Sequence, residues 1–325
     1  MINRIRDDRH RELLFGQTPP TRIVSLVPSD TYSVARLGAG AALVGRTSYC
    51  ELPTDEDDVT PAGRRAYDEL RARWDDETRG VRVVGGTKNP DLDIIRGLEP
   101  DLILANQEEN TRRDLETLAQ EGFRVYVGFP RRVDEGIAHL AKIARMLGLE
   151  KDETAKALVA QGYHALTAAR AVQGAGPRVR TFCPIWMQPL MTLNGETFIS
   201  DMLAMAGADN VFAERTRLYP LAADLGKAKP KSDAEVGERD TRYPRVTQEE
   251  LVERAPDLVL LPDEPHPFTE ADAAVFAALD IPAAKNGAIR RTSGKDLCWY
   301  GARSCAALPR VRALVDSFRP GMPTA

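Results

Sequence analysis

Two stretches of this chain carry the same text 156 residues apart. Asp93-Ile94-Ile95-Arg96-Gly97-Leu98-Glu99-Pro100-Asp101-Leu102-Ile103-Leu104 aligns with Glu249-Glu250-Leu251-Val252-Glu253-Arg254-Ala255-Pro256-Asp257-Leu258-Val259-Leu260. The same offset lays Ile23-Val24-Ser25-Leu26-Val27-Pro28 on Val179-Arg180-Thr181-Phe182-Cys183-Pro184. Each phrase reads as a short helix, a Pro-Asp corner and a buried strand. A chain built as two copies of one α/β unit is expected to hold a cleft between lobes, and clefts of that kind take small ligands.

A length of 325 residues suits two domains. With 43% hydrophobic and 28% charged residues the composition is that of an ordinary globular protein. The net charge of −4 offers no basic footprint for nucleic acid. No apolar run is long enough to insert in a membrane. The four cysteines, at 50, 183, 298 and 305, show neither CxxC pairing nor zinc spacing. Cys298 and Cys305 lie seven apart on an expected helix, about 10 Å between Cα atoms, too far for a disulfide.

The elements alternate. Arg22–Val27 reads as a strand, a helix opens at Pro28-Ser29-Asp30 with Ser29 or Asp30 as its cap, and Ala42–Gly45 is the next strand. Asp91–Leu98 is a short helix capped by Asn89, followed by the strand Asp101–Ala105, a helix from Asn110 to Gln120 and the strand Phe123–Val127. Val133–Val172 interrupts this rhythm, and Asp152–Val172 reads as one helix of about 30 Å. After Pro184 a hairpin is expected over Ile185–Gly195, then a helix at Thr197–Ala206, and then the second helix–Pro-Asp–strand phrase. Two inserts differ in composition: 54–80 is dense in Asp, Glu and Arg, and 222–241 is polar and rich in Gly, Lys and Asp.

The expected fold is therefore α/β: two Rossmann-like lobes with mostly parallel sheets, bridged by a long backbone α-helix. The domain boundaries read as an N-terminal tail over 1–21, an N-terminal lobe over 22–128, linking helices over 129–172 and a C-terminal lobe over 173–325.

Ile23-Val24-Ser25-Leu26-Val27-Pro28-Ser29-Asp30, followed by Leu43-Val44-Gly45-Arg46-Thr47-Ser48-Tyr49, resembles the opening of periplasmic binding proteins for cobalamin and ferric siderophores. Gly85-Gly86-Thr87-Lys88-Asn89-Pro90-Asp91, Tyr243-Pro244-Arg245-Val246-Thr247 and Trp299-Tyr300-Gly301-Ala302-Arg303 look like further blocks of that family, in family order, with the cobalamin branch the nearer match. The resemblance implies a monomeric receptor for an ABC importer, with a corrinoid or related metal chelate as ligand and no intrinsic cofactor. It implies ligand contacts at Tyr49 and Tyr243, with Trp186 and Trp299 as further aromatic candidates, and permease-docking acids at Asp93 and Glu249. Flat aromatic faces suit a corrin because they bury large apolar area with little entropy to lose. Asn106 and Thr87 depart from the family, standing where the cobalamin binder carries tryptophans. Beside that gap Asn106 and Glu108 become polar candidates for a ligand edge.

The family is periplasmic, whereas the charged segment Met1–Glu12 lacks the apolar core of a secretory signal, so the chain as written is expected to be cytoplasmic unless a leader precedes it. Competing readings are a ferric-siderophore or haem receptor of the same family, or a cytosolic corrinoid or tetrapyrrole carrier or sensor without a permease. Free-metal capture needs converging ligands, and histidines 10, 139, 164 and 266 are scattered. No GxGxxG, P-loop, GxSxG or HExxH motif argues for an enzyme.

Overall fold

The structure, a computed structural model, describes residues 3–54, 61–74, 76, 80–174 and 176–319. Strands β1 (Asn3–Arg6) and β2 (Glu12–Phe15) form an antiparallel hairpin. Next come β3 (Ile23–Ser25), α1 (Pro28–Arg36), β4 (Leu43–Arg46), α2 (Pro61–Trp74), β5 (Arg82–Val83), α3 (Leu92–Gly97), β6 (Leu102–Asn106), α4 (Arg112–Gln120) and β7 (Val125–Gly128). Helices α5 (Val133–Met146) and α6 (Glu153–Ala171) follow. The remainder holds β8 (Val179–Phe182), β9 (Trp186–Met187), β10 (Leu190–Met191), α7 (Phe198–Ala206), β11 (Ala208–Asn210), α8 (Leu221–Asp224), α9 (Asp233–Val236) and α10 (Gln248–Arg254). It ends in β12 (Leu258–Pro262), α11 (Glu270–Ala277), α12 (Pro282–Lys285), β13 (Ile289–Thr292), α13 (Gly294–Cys298) and α14 (Ala302–Asp316).

The chain divides into two compact units. The first comprises 1–130, 134–163 and 299–305; the second comprises 131–133, 164–298 and 306–325. Helix α6 belongs to the first unit through Tyr163 and to the second from His164. Unit one is built on a five-stranded sheet of order β5-β4-β3-β6-β7, all parallel. Unit two is built on a four-stranded sheet of order β11-β8-β12-β13, also all parallel. Parallel neighbours need crossovers, which the helices supply. Strands covered on both faces read as continuous apolar runs, and β6, β7 and β12 are buried at every position.

The repeat is a structural fact. β6 and β12 begin 156 residues apart, as do α3 and α10. Both helices end in a left-handed residue before the proline: Glu99 at φ 44° and Ala255 at φ 43°. His10 is the third residue other than glycine with positive φ among those described. An arginine locks each corner. Arg22 donates from Nε and Nη2 to the Leu98 carbonyl at 3.0 and 2.6 Å, and Arg180 donates from Nη2 to the Arg254 carbonyl. These arginines lie 158 residues apart, not 156. The ladder agrees: Ile23 faces Leu102, whereas Thr181 faces Leu258. The first strands are thus offset by two residues from the alignment read in the sequence, a slip that leaves every side chain on its original face.

Several local expectations change. The charged stretch expected as a tail is the β1–β2 hairpin. Its Phe15 is buried, and Asp8 accepts from the Phe129 amide at 2.7 Å and from Lys142 Nζ at 2.9 Å. Asp91, not Asn89, caps α3 by accepting from the amides of Asp93 and Ile94. Val27 takes the cap position of α1, so Ser29 and Asp30 lie inside its first turn and Asp30 is free to reach His139. Cys298 and Cys305 sit on separate helices, because Gly301 turns the chain at φ 76°. All four cysteines are free thiols, and burial pushes Cys183 up to about 12.

The inserts are structured where described. Helix α2 packs its Leu70 into unit one, and its Arg73 donates to the Ala41 and Leu43 carbonyls at 3.0 and 2.8 Å. Residues 55–60, 75 and 77–79 of that insert lie outside the described set. The second insert holds α8 and the single-turn α9, which is closed by a Ser232–Glu235 capping box.

The corner geometry makes a prediction. A left-handed conformation costs an L-residue about 1–2 kcal/mol, which glycine does not incur. Glu99→Gly and Ala255→Gly should therefore leave stability unchanged or raise it by up to about 1 kcal/mol. Ala160→Gly, in the exposed interior of α6, should lower it by about 1 kcal/mol. Denaturant midpoints measure all three, and a loss at the two corner positions matching that at Ala160 would contradict this geometry.

Candidate functional site

In an open parallel sheet, ligands bind beyond the carboxyl ends of the strands, where successive connections leave in opposite directions. In unit one that point lies between β3 and β6, and in unit two between β8 and β12.

Unit one fills its switch point with a polar latch. Asn110, expected at the start of a helix, instead lies one residue before the α4 cap, Thr111. Its Nδ2 donates to the carbonyls of Leu26 at 3.1 Å and Thr87 at 2.9 Å, and its Oδ1 accepts from the Asn106 amide at 2.8 Å. One buried side chain thereby ties the loops after β3, β5 and β6. Asn106 extends the latch. Its Oδ1 accepts from the amides of Glu108 at 2.6 Å and Glu109 at 3.2 Å, and its Nδ2 donates to the Tyr300 hydroxyl at 2.9 Å.

Below it, Asp30 Oδ1 and His139 Nε2 are 2.7 Å apart, and His139 Nδ1 lies 3.3 Å from the Tyr126 hydroxyl. The His139 ring meets Tyr300 edge-on at 5.0 Å. Burial first, and then the nearby Asp30 charge, push the Tyr300 phenol well above its usual range. It therefore stays a neutral hydrogen-bonding group.

This latch presents Glu108 and Glu109 at the sheet edge. Lys88 Nζ donates to the Glu108 carbonyl. Glu109 is open to water along part of its surface, yet its carboxyl is raised, chiefly by desolvation from surrounding protein, with Lys88 opposing the rise. Tyr49 follows β4 and is 64% exposed. Gly86 lies beside its ring: a Cβ there would stand 3.4 Å from Tyr49 Cε2 and 2.5 Å from Asn89 Oδ1. Trp299 and Asn106 are different. At 6% and 1% exposed they lie beneath the surface, Trp299 edge-on to Tyr32 at 5.8 Å. Their structural work is support. The segment 299–305 groups with unit one, although the contiguous division 173–325 puts it with the C-terminal lobe.

Unit two presents aromatics instead. The β9–β10 hairpin carries Trp186, 44% exposed, whose Nε1 donates to the Gln188 carbonyl at 3.1 Å. The Trp186 ring meets His266 at 5.3 Å, and His266 meets Phe268 at 4.6 Å, so this stack spans the loops after β8 and β12. Residues 242–246 run antiparallel to 190–194, through Thr192 N to Pro244 O at 3.0 Å and Val246 N to Leu190 O at 3.0 Å. Met191 therefore stands opposite both Trp186 and Arg245. Tyr243 is half-buried on the same segment, with the Arg242 guanidinium 5.4 Å from its ring centre. Neither His266 nor Arg245 stood among the candidate residues. Arg245 lay inside the Tyr243–Thr247 block, and His266 follows the second Pro-Asp strand closely enough to have been found at its carboxyl end.

The two acids of the repeat hold matching places. Asp93 is the second residue of α3 and Glu249 the second of α10. The Asp93 side chain is 91% exposed and pairs with Arg96 at 2.5 Å. Glu249 is exposed, and its carboxylate is held below its usual range by its own backbone amide and by Thr247.

The family described as "Periplasmic binding protein" matches residues 23–293. The chain belongs to that family. Among curated relatives, the vitamin B12-binding proteins of Yersinia pestis (strain Pestoides F) and Yersinia pseudotuberculosis serotype O:1b (strain IP 31758) are each 28% identical over 199 residues, 61% of this chain. The match spans 62% of those relatives' own length. Solved structures share the fold. The periplasmic vitamin B12 binding protein BtuF of Vibrio cholerae superposes at a TM-score of 0.65, with 19% identity over 93% of this chain and 98% of its own. The periplasmic haem-binding protein RhuT from Roseiflexus sp. RS-1 gives 0.64, with 18% identity over 92% and 99%. CeuE of Helicobacter pylori gives 0.70, with 13% identity over 97% and 88%.

Proposed function

We propose that the protein is the substrate-binding component of an ABC importer, capturing a corrinoid or another tetrapyrrole-sized metal chelate reversibly and without chemical turnover. The family match over residues 23–293 carries the reading, and the curated vitamin B12-binding relatives favour a corrinoid. Tyr49 from unit one and Trp186 and Tyr243 from unit two are the proposed contacts, with Glu108 at a polar edge of the ligand. Burying about 100 Å² more of one such ring against a flat ligand contributes about 2.5 kcal/mol. The alternative of the same family is a haem or ferric siderophore. The exposed Tyr49 phenol favours it, since a tyrosine oxygen can hold haem iron.

Optical titration and calorimetry with cobalamin, cobinamide and haemin decide among these ligands. Cobalamin should bind, and Tyr49→Ala and Trp186→Ala should each weaken it by about tenfold or more. Silence with both corrinoids and a Soret shift with haemin would move the assignment to haem.

Asp93 and Glu249 are proposed to dock the permease, one acid from each copy of the repeat. Asp93→Arg with Glu249→Arg should keep ligand affinity and abolish coupled uptake in a transport assay. Normal uptake by the double variant would remove the docking assignment.

A further inference from the structure

We infer that Arg245 forms an anion-binding site in unit two, so the chelate this protein selects carries a phosphate or carboxylate group. The inference deepens the proposed function and rests on it for the word chelate. The site itself rests on Arg245.

Residue 245 is half-buried, and its Nε and Nη1 are buried while hydrogen-bonding to no described group of the protein. Buried guanidinium nitrogens are ordinarily satisfied, and an uncompensated charge is costly. The nearest acid is already committed. Asp224 Oδ1 accepts from Arg215 Nη1 at 3.0 Å and the Leu218 amide at 2.8 Å, while its Oδ2 accepts from the backbone amide of Arg245 at 2.7 Å. A second guanidinium adds repulsion: burial first, and then the Arg217 charge, lower the Arg245 pKa. Arg217 itself lies 4.5 Å from the centre of the Tyr219 ring, and Arg239 lies 5.5 Å from it. From 215 to 245 the chain holds eight Arg and Lys against five Asp and Glu, in a protein of net charge −4. This patch is locally positive within an acidic chain.

The placement ties this charge to the aromatic face. Trp186 stands opposite Met191 and Met191 opposite Arg245, across three adjacent antiparallel segments. Cross-strand partners project on one face, and two strand spacings set their Cα atoms about 10 Å apart. A flat ligand against Trp186 thus brings a peripheral substituent within reach of a long arginine side chain. An oxyanion there gains the planar, two-pronged donor geometry that guanidinium supplies. Two sources share this chemistry: the phosphodiester of a nucleotide-bearing corrinoid and the propionates of a haem.

The test titrates inorganic phosphate, cobalamin, cobinamide (which lacks the nucleotide loop), haemin and haemin dimethyl ester into the full-length protein. Wild type should bind phosphate. It should also prefer cobalamin to cobinamide, or haemin to its ester, by about ten- to a hundredfold. Arg245→Gln should erase that preference and the phosphate signal. The melting temperature of this variant should change little, because the two buried guanidinium nitrogens it removes hydrogen-bond to no described group. Arg217→Gln, which removes the charge that acts on Arg245, supplies a second readout and should weaken phosphate binding.

If Arg245→Gln and Arg217→Gln bind phosphate and every chelate as tightly as wild type, Arg245 is a hydrated arginine only and the inference falls. Chelate binding in that result would leave the proposed function standing. Arginine-dependent phosphate binding with no response to any chelate would instead keep the anion site and overturn the chelate reading.

Discussion

Both sheets depend on one corner. A short helix must stop, reverse and feed a strand into the middle of a parallel sheet, where no water can satisfy a stray amide. Each unit does this with a left-handed residue, a proline and an aspartate, and each seals the helix end with an arginine from the neighbouring strand. The proline cannot continue the helix. The aspartate amide then bonds to that same arginine's carbonyl, at 2.9 Å in unit one and 2.8 Å in unit two. With the central strand pair fixed this way, the loops beyond its carboxyl ends are fixed too.

What those loops present differs between the copies. Unit one holds its switch point with amides, through Asn106, Asn110 and the hydroxyl of Tyr300, and exposes the ring of Tyr49 beside it. Unit two exposes Trp186 against His266, with Arg245 two strand positions away across Met191. One plan thus yields a polar, acidic surface in one copy and an aromatic, basic one in the other.

Much of this architecture was legible because buried parallel strands write themselves as apolar runs, and the repeat of Pro-Asp fixed their order. β6 and β12 and their helices fall where the 156-residue offset puts them. The register of β3 and β8 was not legible, since a two-residue slip preserves the apolar pattern that a reader detects. The β1–β2 hairpin was hidden by its charge: only Ile5, Phe15 and the turn at His10 mark it. Capping was misassigned at Asn89, Ser29 and Asp30, because Asn, Ser and Asp suit several neighbouring cap positions and local sequence does not choose among them. Asn110 and Trp299 were opaque for a different reason. Their partners, Leu26 and Thr87 for one and Tyr32 for the other, are distant in the chain. Arg245 shows the same limit, for no spacing rule marks an arginine as lacking a carboxylate.

The central proposal is that one chelate is bound through the loops that carry Tyr49 and Trp186. A crystal structure of the protein with its tightest-binding chelate tests it most directly. The account predicts ligand atoms in van der Waals contact with Tyr49 of unit one and with Trp186 of unit two in the same complex. A chelate that touches only one unit, or binds away from both sets of loops, would contradict it.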